Sequence, residues 1–400
     1  MRQELSRESD ERRSEPLELN LGPHHPSTHG VFRAIVELDG EIVTDIVPHL
    51  GYLHRGYEKA CENKQYHQII PLAERCDYMG ASSNSLVYCM TVEKLLDVEV
   101  PERAQVVRVM MAELSRIFSH LFWLGTHGHD VGAMTPLFYM LREREEIMNL
   151  FELTAGGRLM PNYLRIGGLI RDLEDGFVDK LRAFTEHFDE RVDEYETLLT
   201  KNPIYVDRTK GIGVLSLEDA LAYGVTGPML RASGLAWDMR KRQPYSGYEN
   251  YDFDVPVETG CDIYARYLVR VQEMRESNRI LKQTLDRLPD GPIRATKPGF
   301  IFPPQDDIKI KMEALIHHFM LVVEGVKPPA GEVYQVIESP RGELGCYIVS
   351  DGTSKPLRLK WRAPAFVNLE ALAKMSKGYF FADLIAILSS IDIVLAEVDR

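Results

Sequence analysis

Residues 101–122 read Pro-Glu-Arg-Ala-Gln-Val-Val-Arg-Val-Met-Met-Ala-Glu-Leu-Ser-Arg-Ile-Phe-Ser-His-Leu-Phe. Val106, Val107, Met110, Met111, Leu114, Ile117, Phe118, Leu121 and Phe122 recur at i, i+3 and i+4 behind a Pro101-Glu102 start signal, so the spacing predicts a helix over 101–124. Comparable periodicity predicts helices over 137–154, 175–200, 262–288 and 307–324. Between the third and fourth of these, residues 203–260 are rich in Gly, Pro and Tyr and read as long irregular connections, which are usually functional or partner-facing.

On either side of this helical body the period drops to two. Leu17–Leu21, Val31–Leu38 and Glu41–Val47 alternate as strands, with Asp39-Gly40 as a hairpin turn. Between the first two lies Gly22-Pro-His-His-Pro-Ser-Thr-His-Gly30, whose prolines and glycines exclude a regular helix or strand and predict an ordered loop or tight turn. A second small antiparallel sheet is predicted from Val333–Ile337, Gly345–Ser350 and Leu357–Trp361, with turns at Pro340-Arg-Gly342 and Asp351-Gly352 and two short helices after it. The fold class is therefore mainly α with small β regions. It divides into a charged tail at 1–16, a β-rich region at 17–60, a helical body at 61–330 and a closing sheet with helices at 331–400.

Composition removes several functions. With 47 Lys+Arg against 60 Asp+Glu the chain carries 47 − 60 = −13 charges, which argues against nucleic-acid binding. Cysteines at 61, 76, 89, 261 and 346 form no C-x-x-C pair, so neither a disulfide framework nor a self-contained iron-sulfur or structural zinc site is expected. The tail carries nine charges and no apolar run, unlike a signal peptide or anchor. Phe380–Val398 is long and apolar, but Asp383, Asp392 and Glu397 interrupt it, so it reads as a buried helix rather than a membrane span. Walker, G-x-G-x-x-G and G-x-S-x-G motifs are all missing.

Several residues are candidates for chemistry, each with a plainer reading beside it. His24, His25 and His29 fall within six positions; they suit metal ligation if further donors join them, or the capping of backbone groups in a Pro-rich turn. His127-Gly-His129-Asp130 follows the expected end of the 101–124 helix, either as a metal-hydrolase pair or as helix-end hydrogen-bonding groups. Arg75-Cys-Asp-Tyr78 follows a break at Pro71 and lies near a helix N-terminus. Tyr78 fits a core tyrosine and Arg55 an ordinary ion-pair partner.

Taken together, Gly22–Gly30, Gly51-Tyr-Leu-His-Arg-Gly-Tyr-Glu-Lys59, Asp130-Val-Gly-Ala-Met-Thr-Pro136, Ser339-Pro-Arg-Gly-Glu343, Ser350-Asp-Gly352, Arg362-Ala-Pro364 and Asp392–Arg400 closely resemble the D-type (49 kDa-type) subunit family of bacterial NADH-quinone oxidoreductase, respiratory complex I. The resemblance runs from about residue 17 to residue 400. It implies a fold similar to the large subunit of nickel-iron hydrogenases without the metal centre. Where that relative carries R-x-C-x-x-C, this chain has Arg75, Asp77 and Gly80, and its C-terminal C-x-x-C has no counterpart before Asp399-Arg400. Four thiolates are therefore missing, and nickel and iron are not expected.

The resemblance further implies that a quinone headgroup is reduced in the remodelled metal cavity. His29 and Tyr78 correspond to the headgroup ligands, Asp130 to the carboxylate paired with His29, and Arg55 and Arg75 to arginines near a [4Fe-4S] cluster held by the adjacent B-type subunit. The C-type and I-type subunits and the membrane-embedded H-type subunit are the other expected partners. The expected location is peripheral, on the cytoplasmic side of the bacterial inner membrane, with quinone reduction coupled to proton translocation. Met160, in Met160-Pro-Asn-Tyr-Leu-Arg-Ile-Gly-Gly168, stands where many members have a histidine near the cluster, which suggests a low-potential quinone such as menaquinone. Two other readings remain open: a catalytically silent scaffold in a hydrogenase-related membrane complex, and an independent His-dependent metal hydrolase.

Overall fold

The computed structural model describes residues 16–297 and 299–400, so all but the last residue of the predicted charged tail lies outside the described residues. Strands β1 (Leu17–Leu21), β2 (Arg33–Asp39) and β3 (Ile42–His49) form an antiparallel sheet in that order. Leu17 pairs with Leu38 and Arg33 with His49, and a bulge falls between Glu37 and Leu38. Alternation puts Ala34, Val36, Leu38, Val43 and Ile46 on the buried face. The 22–30 connection is ordered around one 3-10 turn, Pro26–Thr28.

The helical body follows: α1 (Tyr57–Cys61), α2 (Tyr66–Glu74), α3 (Ala81–Leu96), α4 (Glu102–Asp130) and α5 (Thr135–Ala155). A two-residue hairpin, β4 (Leu164–Arg165) and β5 (Gly168–Leu169), leads to α6 (Phe177–Leu199). Two expectations are corrected here. Pro71 lies inside α2 rather than breaking the chain, so Tyr78 sits in the α2–α3 connection. The central helix also runs six residues past its predicted end, to Asp130.

Residues 203–260 are not one irregular connection. They contain α7 (Pro203–Thr209), α8 (Leu217–Ala222), α9 (Pro228–Arg231), α10 (Met239–Arg242) and a 3-10 turn at Tyr248–Asn250. Elements this short escape periodicity analysis and depend on outside anchors. The anchors are buried charges. Arg231 on α9 pairs with Glu273 at 2.5 Å and Glu338 at 2.7 Å, and Arg240 on α10 pairs with Asp238 at 2.7 Å and with Glu113 of α4 at 3.2 Å.

The chain continues through α11 (Ile263–Asp286), then α12 (Gln305–Ile310) and α13 (Met312–Val323) where one helix was expected. The second antiparallel sheet comprises β6 (Gly331–Ser339), β7 (Gly342–Ser350) and β8 (Arg358–Arg362). Four helices rather than two close the chain: α14 (Pro364–Glu370), α15 (Leu372–Ser376), α16 (Phe381–Ile391) and α17 (Leu395–Asp399). The predicted buried apolar helix at 380–398 is thus two helices turning at Asp392, which adopts a left-handed conformation at φ 62°.

Helix α4 packs against α3, α5, α11 and α16 and is buried around much of its circumference, including Arg108, Glu113, Arg116 and His120. Such burial requires internal partners. Arg108 meets Glu93 of α3 at 2.5 Å, His120 meets Glu273 of α11 at 2.8 Å, and Glu113 accepts hydrogen bonds from Tyr248 at 2.5 Å and Ser277 at 2.7 Å. A second hydrophobic cluster joins the N-terminal sheet to the closing helices, for example Val36 and Ile46 with Leu369, Met375 and Ile387.

His120 and His127 on α4 are held neutral by burial, their pKa values pushed down to about 4 and about 3. Between those values and the ordinary 6.5 or so, the unfolded chain binds more protons. Their contribution to stability is complete above about pH 6.5 and declines as pH falls. Replacing His127→Gln should flatten the pH dependence of urea unfolding between pH 6.5 and 5 by up to about 1.4 kcal/mol per pH unit; an unchanged slope would show that His127 does not titrate on unfolding.

Candidate functional site

Three connections and one helix end build a cavity of 370 Å³. The first wall is the turn between β1 and β2. His25 Nδ1 accepts from the Ser27 amide at 3.2 Å and buried Thr28 donates to the His25 carbonyl at 2.6 Å. The plainer reading holds for His25, which caps the turn; it and His24 are exposed. His29 closes the turn in the left-handed region, φ 50°.

The second wall is the end of α4. Asp130 Oδ2 lies 2.9 Å from Nε2 of His29, so a helix end and a strand connection 101 residues apart in the chain meet through one charge-assisted contact. Because α4 continues to Asp130, the His127/His129 pair belongs to a helix, where positions two apart diverge by about 200°. His127 is buried, stacked on Trp123 at 5.0 Å and bonded to Ser389 Oγ at 3.1 Å, whereas His129 lines the cavity. Among the described residues no three His, Cys, Asp or Glu side chains converge as a metal site requires.

The third wall is the α2–α3 connection carrying Tyr78. Asp77 Oδ1 accepts from the amides of Met79 and Gly80, each at 3.0 Å, and folds the backbone tightly around Tyr78. A Cβ at Gly80 would lie 2.5 Å from Asp77 Oδ2, so the carboxylate occupies the space a side chain there would need. The fourth wall comes from the β6–β7 turn. Arg341 donates to Asp77 Oδ2 at 2.6 Å and to the Asp392 carbonyl at 2.9 Å, and both Arg341 and Asp392 line the cavity.

Burial dominates the electrostatics of this site. It raises the pKa of Tyr78, keeping the phenol protonated. It also tends to raise Asp130, but the hydrogen bond and charge of His29 outweigh it and hold Asp130 below the ordinary value. Asp392 is pushed up by burial, and so is Glu397, to about 8. Behind the cavity wall, Arg144 is buried with its guanidinium 3.9 Å from the Phe118 ring and 4.6 Å from that of Phe122. Phe122 itself lines the cavity.

Of the residues expected to act, the fold brings His29, Tyr78 and Asp130 to one cavity. Arg55 and Arg75 are exposed and flank Tyr57 instead: the Arg55 guanidinium lies 4.6 Å from the Tyr57 ring, and the Tyr57 hydroxyl donates to the Arg75 carbonyl at 3.5 Å. Met160 is half-buried after α5. Reasoning from sequence assigned no role to Arg341, Asp392 or Arg144. The signal available for Arg341 was its place between two strands in Ser339-Pro-Arg-Gly, where a long cation in a tight turn invites a buried partner. Larger hollows of 690 and 600 Å³ lie elsewhere, the former an open groove between α5 and α6, but neither joins a tyrosine to a His–Asp pair.

Comparison with known proteins shows what this arrangement belongs to. The curated relatives are oxidoreductase subunits that match nearly end to end. The NADH-quinone oxidoreductase D-type subunit of Geotalea uraniireducens is 54% identical over 387 residues, covering 97% of this chain and 99% of the relative. The D-type subunit numbered 2 of Chloroflexus aurantiacus is 52% identical over 391 residues, covering 97% and 95%. The D-type subunit numbered 1 of Roseiflexus castenholzii is 53% identical over 400 residues, covering 99% and 96%. Residues 130–400 match the family described as respiratory-chain NADH dehydrogenase, 49 Kd subunit. The chain belongs to that family, the D-type component of the multi-subunit oxidoreductase complex I.

Arg341 is 2% exposed and its partners Asp77 and Asp392 are 0% and 8% exposed. Replacing Arg341→Met should therefore leave two buried carboxylates without their cation and cost about 3–5 kcal/mol. Urea unfolding is the measurement; a loss under about 1 kcal/mol would mean that the pair is solvated in solution.

Proposed function

We propose that the cavity bounded by His29, Tyr78 and Asp130 takes a quinone headgroup and protonates it as it is reduced. The observation that carries this reading is the His29–Asp130 contact at 2.9 Å in the same cavity as the Tyr78 phenol. The volume of 370 Å³ is in the range of small-molecule sites. Quinone reduction takes two electrons and two protons, and charge develops on carbonyl oxygens at opposite ends of the ring. A donor at each end is the arrangement such chemistry needs. Tyr78 is a phenol, protonated near neutral pH, and burial raises its pKa further. His29 donates the second proton, with Asp130 2.9 Å from Nε2 orienting the imidazole and setting its tautomer.

The electrons would come from a [4Fe-4S] cluster held by the B-type subunit, and the exposed Arg55 and Arg75 are the residues of this chain that would face it. Once His29 has given up its proton, Asp130 loses its countercharge. That electrostatic change is the first step of coupling to proton translocation in the membrane partners, among them the H-type subunit, with the C-type and I-type subunits as further partners. Among the described residues no helix is long and apolar enough to cross a membrane, which fits attachment to the cytoplasmic face of the inner membrane through those partners. Met160 would give such a cluster no protonatable neighbour, so its potential would be lower and less pH-dependent than with a histidine there, suited to a low-potential quinone such as menaquinone.

In membranes carrying Tyr78→Phe, electron transfer to a short-chain quinone should fall roughly a hundredfold, while transfer to an artificial acceptor upstream and assembly of the complex stay normal. Unchanged quinone reduction would remove Tyr78 from the reaction and favour a scaffold role. Redox titration of the cluster between pH 6 and 8 should show a nearly constant midpoint in the native complex and a pH-dependent one in Met160→His. A strongly pH-dependent native midpoint would overturn the assignment of Met160.

A further inference from the structure

Helix α13 is apolar over most of its surface, with Glu313, His317 and His318 its polar side chains. Leu321 is buried, while Met312, Leu315, Ile316, Phe319, Val322 and Val323 lie on the outer side at helical spacing, Met312 73% and Phe319 61% exposed. A contiguous exposed apolar stripe of this kind marks a docking surface.

Beside it, residues 292–297 and 301–305 and the His317 side of α13 enclose the cleft of 600 Å³. Arg294 and Lys297 line this cleft, and Arg294 also lines a narrower hollow of 200 Å³ together with Arg165. All three cations are half-buried. Each donates to backbone carbonyls: Arg294 to Leu169 and Ile170, Lys297 to Leu96 and Asp97, Arg165 to Asn162 and Leu164. Arg294 and Lys297 form no ion pair with a carboxylate among the described residues, whereas Arg165 lies within electrostatic reach of Glu74. Charges around the apolar stripe are, in contrast, paired locally: Lys309 with Asp306 at 3.6 Å, Lys311 with Asp307 at 2.9 Å and Lys327 with Glu324 at 2.6 Å. The unmatched positive charge is concentrated in the cleft.

We propose that α13 and this cleft dock a segment of another subunit of the complex, which lays an apolar face along α13 and inserts a carboxylate between Arg294 and Lys297. The inference rests on the chain being one subunit of a multi-subunit complex and is independent of the quinone assignment. Other occupants fit less well. Residues 1–15 carry nine charges and no apolar run, so they cannot cover an apolar helix. A second copy of the chain would bring two cationic clefts together. A membrane surface would find no free cation around the stripe for its anionic headgroups, since Lys309, Lys311 and Lys327 are paired with Asp306, Asp307 and Glu324, while the unpaired cations face the cleft.

The test uses the assembled complex in native membranes. Phe319 is replaced by benzoylphenylalanine, the sample is irradiated, and the cross-linked product is mapped by mass spectrometry. The expected product joins this chain to one other subunit, within an apolar segment that contains Asp or Glu. Arg294→Glu should reduce that product and the amount of assembled complex at least tenfold, whereas Arg294→Lys should retain both. Ile316→Ser with Phe319→Ser alters only exposed side chains. It should lower assembly similarly while leaving the circular dichroism and melting temperature of the purified chain unchanged. Cross-links to lipid, to a second copy or to nothing, or assembly that tolerates Arg294→Glu, would overturn the proposal. Quinone reduction per assembled complex should stay normal, which separates this result from failure of the proposed quinone chemistry.

Discussion

The buried ion pair between Arg341 and Asp77 is the contact on which the site depends. It joins a β6–β7 turn to the α2–α3 connection across 264 positions of sequence, and Arg341 also reaches the Asp392 carbonyl where α16 ends. Three segments unrelated in sequence therefore share one guanidinium. Desolvating these charges is expensive unless all the hydrogen bonds form together, so the arrangement is close to all-or-none. Asp77 directs its other oxygen to the Met79 and Gly80 amides. The position of the Tyr78 backbone follows from that constraint.

The opposite side of the cavity is organised by a different contact of the same kind. Asp130, the last residue of a 29-residue helix, faces His29 in a one-turn loop between strands. The helix is rigid because its buried polar groups are cross-braced to α3, α10 and α11 through Glu93, Arg240 and Glu273. Burial then acts oppositely on the two walls. It raises the Tyr78 phenol and the Asp392 and Glu397 carboxyls, whereas Asp130 is held low by its imidazole partner. A cavity with a neutral phenol on one side and a paired charge on the other is suited to proton donation with a change of local charge.

Asp77 serves as an internal brace, and Gly80, which has no side chain, leaves room for the Asp77 carboxylate. The result is a hydrogen-bonded turn built around Tyr78.

Much of the architecture was legible in the amino-acid sequence. Helices at 135–155, 177–199 and 263–286 and the strands of both sheets lie within a few residues of the periodic patterns that predict them, because an amphipathic face repeats locally and needs no distant partner to be seen. Pairing of His29 with Asp130 was legible only through the family resemblance; nothing in local spacing connects positions 101 residues apart. Three features were decided by tertiary structure alone. Pro71 is tolerated inside α2, α4 extends to Asp130, and residues 203–260 break into short helices, since packing and buried ion pairs such as Arg231–Glu273 override weak local preferences. Arg341 was visible as a residue but not as a brace. Its role exists only where Asp77 and Asp392 meet it out of water, and the sequence by itself carries the charge but not the desolvation that makes it matter.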